Sequence, residues 1–119
     1  MKYFIICKYA NADKYKELKT YLDSCGYEIT HDWLAAEPKK NEPVYDDVYY
    51  AQRIRPNIEG IQDADIVYAI LPGGQDFHVE LGVAIAFQKK IRFVYIAGTT
   101  VVASAYYAHP KIEHLEDYI

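Results

Sequence analysis

Short runs of apolar residues recur along the chain, and their lengths predict β-strands. Residues 3–7 and 65–71 are apolar at nearly every position, which is typical of strands that are buried on both faces. Two further runs predict strands at residues 27–30 and 91–96. Residues 112–119 form either a last strand or a helical tail.

The stretches between these runs predict helices. Asn11 or Asp13 can cap the first helix, and Gly26 supplies the left-handed residue that ends it. Pro56 should break or restart the second helix, because proline removes a helical hydrogen bond. The predicted helices span residues 11–24, 44–62 and 77–89, a loop covers residues 35–43, and residues 99–107 form a short helix or a turn.

Alternation of strands and helices indicates an α/β fold with a parallel sheet. We predict a single domain over residues 1–119, with a flavodoxin-like (Rossmann-like) doubly wound sheet of four to five strands. Ligands of such sheets bind beyond the carboxyl ends of the strands, at the switch point. The loops at residues 8–12, 31–33 and 72–76 should therefore line one crevice.

Composition narrows the choice of partners. The net charge is −4 and no cluster of Lys and Arg exceeds a pair, so we expect no nucleic acid polymer as partner. No apolar run is long enough for a membrane span or a signal peptide, so we expect a cytoplasmic protein with no membrane contact. Cys7 and Cys25 are predicted to be reduced thiols in or near the core.

Glu80 is the strongest candidate for chemistry. It is the lone acid within the apolar part of the third helix, directly after a buried strand and a glycine turn. This order is how α/β proteins place a reactive carboxylate beside a ligand. The alternative is that Glu80 simply faces water at the surface of the helix.

Other kinds of site have weaker support. His78 and Glu80 are two residues apart and would point to opposite sides of a helix, so we predict no metal site. No phosphate-loop or dinucleotide fingerprint is present, and we expect no cofactor. Among the kinds of chemistry considered, one remains. A carboxylate acts as a nucleophile or stabilises an oxocarbenium-like transition state.

Two segments carry a family resemblance. Residues 72–91, with the sequence Val-Glu-Leu-Gly at positions 79–82, and residues 58–67, which end in Ala-Asp before a strand, resemble the nucleoside 2-deoxyribosyltransferase family. The resemblance implies cleavage of the N-glycosidic bond of a (deoxy)nucleoside or its 5′-monophosphate. The sugar would pass through an ester on Glu80 to another base or to water. It also implies a homo-oligomer, a dimer or higher, whose subunits complete one another's sites.

The chain departs from the family pattern at three places. Asn57 stands where the family has an aspartate that assists the base, eight residues before Asp65. Gly74 replaces a second aspartate, although Asp76 lies close enough to substitute for it. Residues 8–10 replace the usual Gly or Ser after the first strand. An amide cannot give a proton to a leaving base, so Asp76 or His78 would have to act as the acid.

The remaining candidates each have a structural alternative. His78 could contact substrate or cover the helix start, and Asp76 could be catalytic or an N-cap. Asp32 and Trp33 could close the crevice over a base, or Trp33 could anchor the second strand. Lys8 could meet a 5′-phosphate or be solvated. The predicted catalytic residues are Glu80, Asp76 and Asn57, and the predicted substrate-binding residues are Lys8, Tyr9, Asp32, Trp33, Pro72, Gly73, Gly74 and His78.

Two other functions compete with the one that the resemblance to nucleoside 2-deoxyribosyltransferases implies. A non-catalytic nucleotide-binding or sensor module on the same fold would account for Asn57. A phosphoribohydrolase motif, Pro-Gly-Gly-x-Gly-Thr-x-x-Glu, also resembles residues 72–80. This chain, however, has Asp76-Phe77 in place of Gly-Thr and lacks an earlier glycine-rich phosphate loop.

Overall fold

The protein is described by a computed structural model that covers residues 1–36 and 47–115. Five parallel strands form one sheet in the order β2-β1-β3-β4-β5. This is the flavodoxin-like order that the sequence predicted. The strands are β1 (Lys2–Ile6), β2 (Glu28–Ile29), β3 (Ile66–Leu71), β4 (Lys90–Tyr95) and β5 (Ile112–Leu115).

Three α-helices connect the strands. They are α1 (Ala12–Ser24), α2 (Asp47–Asp63) and α3 (Gln75–Ala86), with short 3₁₀ turns at Tyr9–Asn11 and Ala105–Ala108. Of the two alternatives for the C-terminal residues, a strand or a helical tail, the strand is correct for residues 112–115, which form β5. Residues 116–119 lie outside the described part. The predicted start of the second helix at residue 44 and most of the predicted loop lie outside it as well.

The predicted break at Pro56 is wrong, because α2 continues through this proline. A proline inside a helix removes one backbone hydrogen bond, so packing must hold the two halves in line. Gly60 and Ile61, in the turn after the proline, are buried against the sheet. Tertiary burial thus outweighs the local preference of the sequence.

The helices cover both faces of the sheet. Tyr3 and Phe4 are neighbours in β1 and therefore point to opposite faces. The Tyr3 hydroxyl donates to Asp23 of α1 at 2.7 Å, whereas Phe4 lies under Gly60 of α2. α2 and α3 contact each other and both contact β1, so they share the face opposite α1. The fold is therefore doubly wound.

Gly60 sets how closely α2 approaches the sheet. A Cβ atom at this position would lie 2.9 Å from Cδ2 of Phe4 and 3.1 Å from Cβ of His31. Real Cβ atoms do not approach other heavy atoms so closely, so α2 can rest here only on a residue without a side chain.

The core is formed by the central strands and the helix faces above them. Every residue of β3 is buried, as its apolar run predicted. Cys7 and Cys25 are free thiols, but only Cys7 is buried. The placement of Cys25 near the core is therefore wrong, because it follows the last turn of α1 at the surface.

Candidate active site

Two loops meet at the carboxyl edge of the sheet, where β1 and β3 lie side by side. The chain leaves β1 towards β2 and leaves β3 towards β4, so the connections diverge here. The side-chain amide of Asn11 donates to the carbonyl of Pro72 at 2.9 Å and joins the loops. A Cβ atom at Gly74 would lie 4.0 Å from Cβ of Lys8. Two of the three loops expected to line one crevice, residues 8–12 and 72–76, thus meet at this edge.

The turn that follows β3 is built from residues without bulky side chains. The Leu71–Pro72 peptide bond is cis, and Gly73 lies against Phe77 so closely that a Cβ atom there would overlap the phenyl ring. Gly74 is the N-cap of α3 in an extended conformation. The alternative of Asp76 as N-cap is therefore wrong, since Asp76 lies within the first turn of the helix.

Glu80 lies one turn after Asp76 on the same face of α3. Its side chain is partly buried, and Oε1 is shielded from solvent with no hydrogen-bond partner among residues 1–36 and 47–115. Burial, and then repulsion from Asp76, raise the pKa of Glu80 from its usual 4.5 to about 7.

The position of Glu80 near the start of α3 would by itself favour the ionised carboxylate. A helix N-terminus stabilises a negative charge by about 0.3–1 kcal/mol at an exposed site. The loss of hydration that accompanies burial is larger here and acts in the opposite direction. Glu80 therefore changes its charge near neutral pH, and a carboxylate whose pKa is perturbed so strongly is a candidate for a functional site.

Cys7 is a neighbour of Glu80 that the sequence reasoning did not place in the site. Burial, and then the Glu80 charge, raise the pKa of this thiol to about 12, while Lys8 acts in the opposite direction. Cys7 Sγ donates to the Lys8 carbonyl at 3.1 Å. The Cys7 thiol is thus within electrostatic reach of both Lys8 and the carboxylate of Glu80. The position of Cys7 at the end of the first strand was the signal that could have revealed it.

Asn57 carries the second shielded oxygen of this kind. Its Oδ1 is buried and finds no hydrogen-bond donor in the described part of the chain. Asn57 lies on α2, which contacts α3, the helix of Glu80. Buried polar atoms in proteins are nearly always paired, so two unpaired acceptors on adjacent helices are typical of a site that receives donors from a ligand.

Asp32 and Trp33 follow β2, and their side chains form hydrogen bonds within the protein. Trp33 is buried, and its indole N–H donates to the carbonyl of Ile5 at 2.9 Å. Asp32 accepts hydrogen bonds from the Tyr15 hydroxyl at 2.8 Å and from the Ala35 amide at 3.2 Å. This geometry favours the anchoring role for Trp33 over a role in stacking on a base.

Tyr9 is exposed on the loop after β1. It lines a cleft of about 250 Å³ together with Asp32 and Lys16, on the α1 side of that loop. Glu80 and the turn at residues 72–74 are not among the residues that line this cleft. Tyr9 and Asp32 therefore share a cleft that is distinct from the surroundings of Glu80.

His78 lies next to the turn, but both of its ring nitrogens are engaged. Nδ1 is 2.7 Å from the Gly74 carbonyl oxygen and Nε2 is 2.6 Å from the Tyr107 hydroxyl. A substrate contact or proton transfer through the ring would require one of these bonds to break. Tyr107 was not among the predicted site residues, because nothing in the sequence connects it with position 78.

Residues 1–36 and 47–115 were compared with the requirements of a metal site and of a membrane-spanning helix. No group of three His, Cys, Asp or Glu side chains in these segments is arranged to hold a metal ion. No helix in the same segments is long and apolar enough to cross a membrane.

Comparison with known proteins gives structural relatives only. No family model matches the sequence, and no curated protein matches it. The fold is similar to that of the CMP N-glycosidase BcmB of Clostridium botulinum, with 16% identity over 97% of this chain and 88% of that one and a TM-score of 0.69. It is also similar to a 2-deoxyribosyltransferase from Bacillus psychrosaccharolyticus, with 14% identity over 86% of this chain and 77% of that one and a TM-score of 0.71.

These similarities confirm, at the level of the fold, the resemblance that the sequence suggested. The two solved proteins share the parallel α/β architecture over most of this chain. At such low identity the likeness concerns the arrangement of strands and helices, and the site must be argued from its own residues.

Proposed function

We propose that this protein cleaves or transfers at the N-glycosidic bond of a (deoxy)nucleoside or nucleoside 5′-monophosphate, with Glu80 as the nucleophile. The observation that carries the proposal is the shielded Oε1 of Glu80 beside the switch point of the sheet, which has no hydrogen-bond partner among residues 1–36 and 47–115. Support comes from the shared fold of a CMP N-glycosidase and a 2-deoxyribosyltransferase.

The reaction would proceed in two displacements at the sugar carbon C1′. An oxygen of the ionised Glu80 carboxylate forms a bond to C1′ while the C1′–N bond breaks, and the base leaves with the electron pair. A water molecule, or a nitrogen of a second base, then bonds to C1′ and the ester bond to Glu80 breaks. The carboxylate is regenerated, and the proton of the incoming group is released.

Proton transfer to the leaving base is assigned to Asp76. It is exposed in the first turn of α3, one turn before Glu80 on the same face, so it can take a proton from solvent and pass it to the leaving base. His78 is less suited because both ring nitrogens are engaged with protein atoms. The Asn57 amide can accept a hydrogen bond from a ligand but cannot carry a proton between groups.

Substrate would lie over the turn at Pro72, Gly73 and Gly74. The absence of bulky side chains lets a ligand approach the backbone there. The Cβ atom of Lys8 lies beside Gly74 of this turn, and its positive charge suits the 5′-phosphate of a monophosphate. We propose no metal and no organic cofactor for the reaction.

The proposal is tested by incubating nucleosides and 5′-monophosphates with wild-type protein and with Glu80→Gln, followed by chromatography of the released bases. Glu80→Gln keeps the shape of the side chain and removes the nucleophile. Glu17→Gln, an exposed carboxylate of α1, is the matched control. Base release that Glu80→Gln abolishes and Glu17→Gln retains supports the assignment, whereas equal activity in both variants contradicts it.

Asn57→Asp tests the role of the missing acid. If proton transfer limits the reaction, a carboxyl group at this position should raise turnover, by up to about 10²–10⁴-fold. Turnover that is unchanged or lower in Asn57→Asp would show that Asp76 or solvent already supplies the proton.

The second candidate function is a non-catalytic nucleotide-binding or sensor module. Asn57 favours it, because an amide can bind a base but cannot assist its departure. Thermal stabilisation by one nucleotide, without release of base from any member of the panel, would decide for this function.

A homo-oligomer also remains a proposal. Val79 and Phe87 expose 67% and 41% of their surfaces on and just after α3, and Tyr106 exposes 71%. Contact between two copies would remove such apolar surface from water. A cytoplasmic location stays a prediction from the sequence.

A further inference from the structure

Two pairs of hydrogen bonds, joined through the residue Tyr107, run from the β5 edge of the sheet to the turn before the Glu80 helix. The Tyr95 hydroxyl lies 2.8 Å from Nδ1 of His114, and Nε2 of His114 lies 2.9 Å from the Tyr107 carbonyl oxygen. The Tyr107 hydroxyl lies 2.6 Å from Nε2 of His78, whose Nδ1 is 2.7 Å from the Gly74 carbonyl oxygen. These bonds thus connect β4, β5 and the second 3₁₀ turn with the N-terminus of α3.

The carbonyl partners fix the direction of two of these bonds. A carbonyl oxygen can only accept, so Nδ1 of His78 and Nε2 of His114 must each carry a hydrogen. The Tyr107 hydroxyl pairs with the remaining nitrogen of His78, and the Tyr95 hydroxyl pairs with that of His114. Both nitrogens of each ring therefore have a partner, which fixes the orientation of the imidazoles.

The packing around Tyr107 holds this arrangement in place. Tyr107 exposes only 6% of its surface, and its ring meets the ring of Phe93 edge to face at 4.9 Å. The His78 ring is nearly parallel to the Tyr107 ring, with an angle of 8° and a centroid distance of 5.8 Å. A buried phenol that lost its acceptor would leave a donor without a partner, which is unfavourable, so the packing favours the bond to His78.

The last of these bonds acts on the backbone that the proposed substrate must contact. Gly74 precedes α3, the helix that carries Asp76 and Glu80. Asn11 holds the carbonyl of Pro72 in the same turn from the opposite side. A turn that is rich in glycine has many accessible conformations, so bonds from outside it are needed to select one.

We infer that Tyr107 is a positioning residue, which acts through His78 to hold the Gly74 carbonyl and thereby the substrate turn and the start of the Glu80 helix. The inference rests on the proposed function for its effect on catalysis. Tyr107 itself lies behind His78 and needs no contact with substrate. Displacement of a reacting group by about 1 Å can cost on the order of a hundredfold in rate.

Tyr107→Phe is the test variant, because it removes the hydroxyl and keeps the ring in its packing. Tyr106→Phe, the exposed neighbour, is the matched control. We expect kcat to fall about tenfold to a hundredfold in Tyr107→Phe, with KM changed by less than about threefold, and Tyr106→Phe to match wild type. A kcat of Tyr107→Phe within about twofold of wild type would overturn the inference.

A double-mutant cycle shows whether Tyr107 acts through His78. In a His78→Phe background the ring remains but no bond reaches Gly74, so loss of the Tyr107 hydroxyl should then change kcat by less than about twofold. Equal losses in the two backgrounds would mean that the hydroxyl acts by another route, and the inference would fail.

Nuclear magnetic resonance of the imidazole nitrogens and of the backbone amides provides a readout that needs no substrate. We expect Nδ1–H for His78 and Nε2–H for His114 in the wild-type protein. In Tyr107→Phe, but not in Tyr106→Phe, the His78 Nε2 signal and the amide signals of Gly73 and Gly74 should move. If the panel shows no turnover, the proposed function fails, and these signals alone decide on Tyr107: unchanged amide signals would refute its hold on the turn.

Discussion

Glu80→Gln should stabilise the protein at high pH but not at low pH. The pKa of Glu80 is raised from 4.5 to about 7, chiefly by burial. A difference of this size corresponds to about 3 kcal/mol, since each factor of ten in proton affinity is about 1.4 kcal/mol. Ionised Glu80 therefore lowers the free energy of unfolding by about 3 kcal/mol relative to the protonated form.

The direction of the effect follows from proton binding. Between pH 4.5 and about 7 the folded state holds the Glu80 proton more tightly than the unfolded state does. The free energy of unfolding must then fall as pH rises through this window, and the loss is complete above pH 7. Glutamine has a similar shape and no charge to desolvate, so the variant lacks this part of the pH dependence.

Urea denaturation of wild type and Glu80→Gln at pH 5 and pH 8 measures the effect. We expect similar stabilities at pH 5 and an advantage of about 3 kcal/mol for the variant at pH 8, or on the order of 10 °C in melting temperature. Glu17→Gln, an exposed carboxylate, should show no such change between the two pH values. An equal difference between wild type and Glu80→Gln at both pH values would refute the burial argument.

Three further predictions concern other parts of the site and surface. The rate of base release should fall about tenfold per pH unit below pH 7, as Glu80 takes up its proton, and a flat pH profile would contradict its role as nucleophile. Gly73→Ala should cost about 1–3 kcal/mol in urea denaturation because its Cβ overlaps a ring, whereas Gly82→Ala, which meets no atom within 4 Å, should stabilise α3 by about 0.5–1 kcal/mol. Val79→Lys should lower the mass seen by light scattering, and an unchanged oligomer would exclude this surface from the contact.

The sequence predicted those features that depend on local pattern. The apolar run before the glycine turn predicted a central strand, and β3 is buried throughout. The alternation of strands and helices predicted the order of the sheet, because right-handed crossovers leave few alternatives. The loops that contain Lys8 and Gly74 were expected to meet, and they do so at the carboxyl edge.

Features that depend on contacts between distant residues could not be predicted in this way. Local preference indicated a break at Pro56, but burial of the following turn keeps α2 continuous. The helix dipole indicated an ionised Glu80, yet the depth of burial decides its pKa. The bond between His78 and Tyr107 joins residues that are 29 positions apart, and no periodicity in the sequence reports it.

Gly60 links the packing of α2 to the position of Asn57. α2 lies on Phe4 at a position without a side chain, and Asn57 is one turn earlier on that helix. A methyl group at position 60 would require the Phe4 ring or α2 to shift. Under the proposed function, a shift of α2 would change the room for a base beside Asn57, so selection for larger or smaller bases could act on a residue that never touches them.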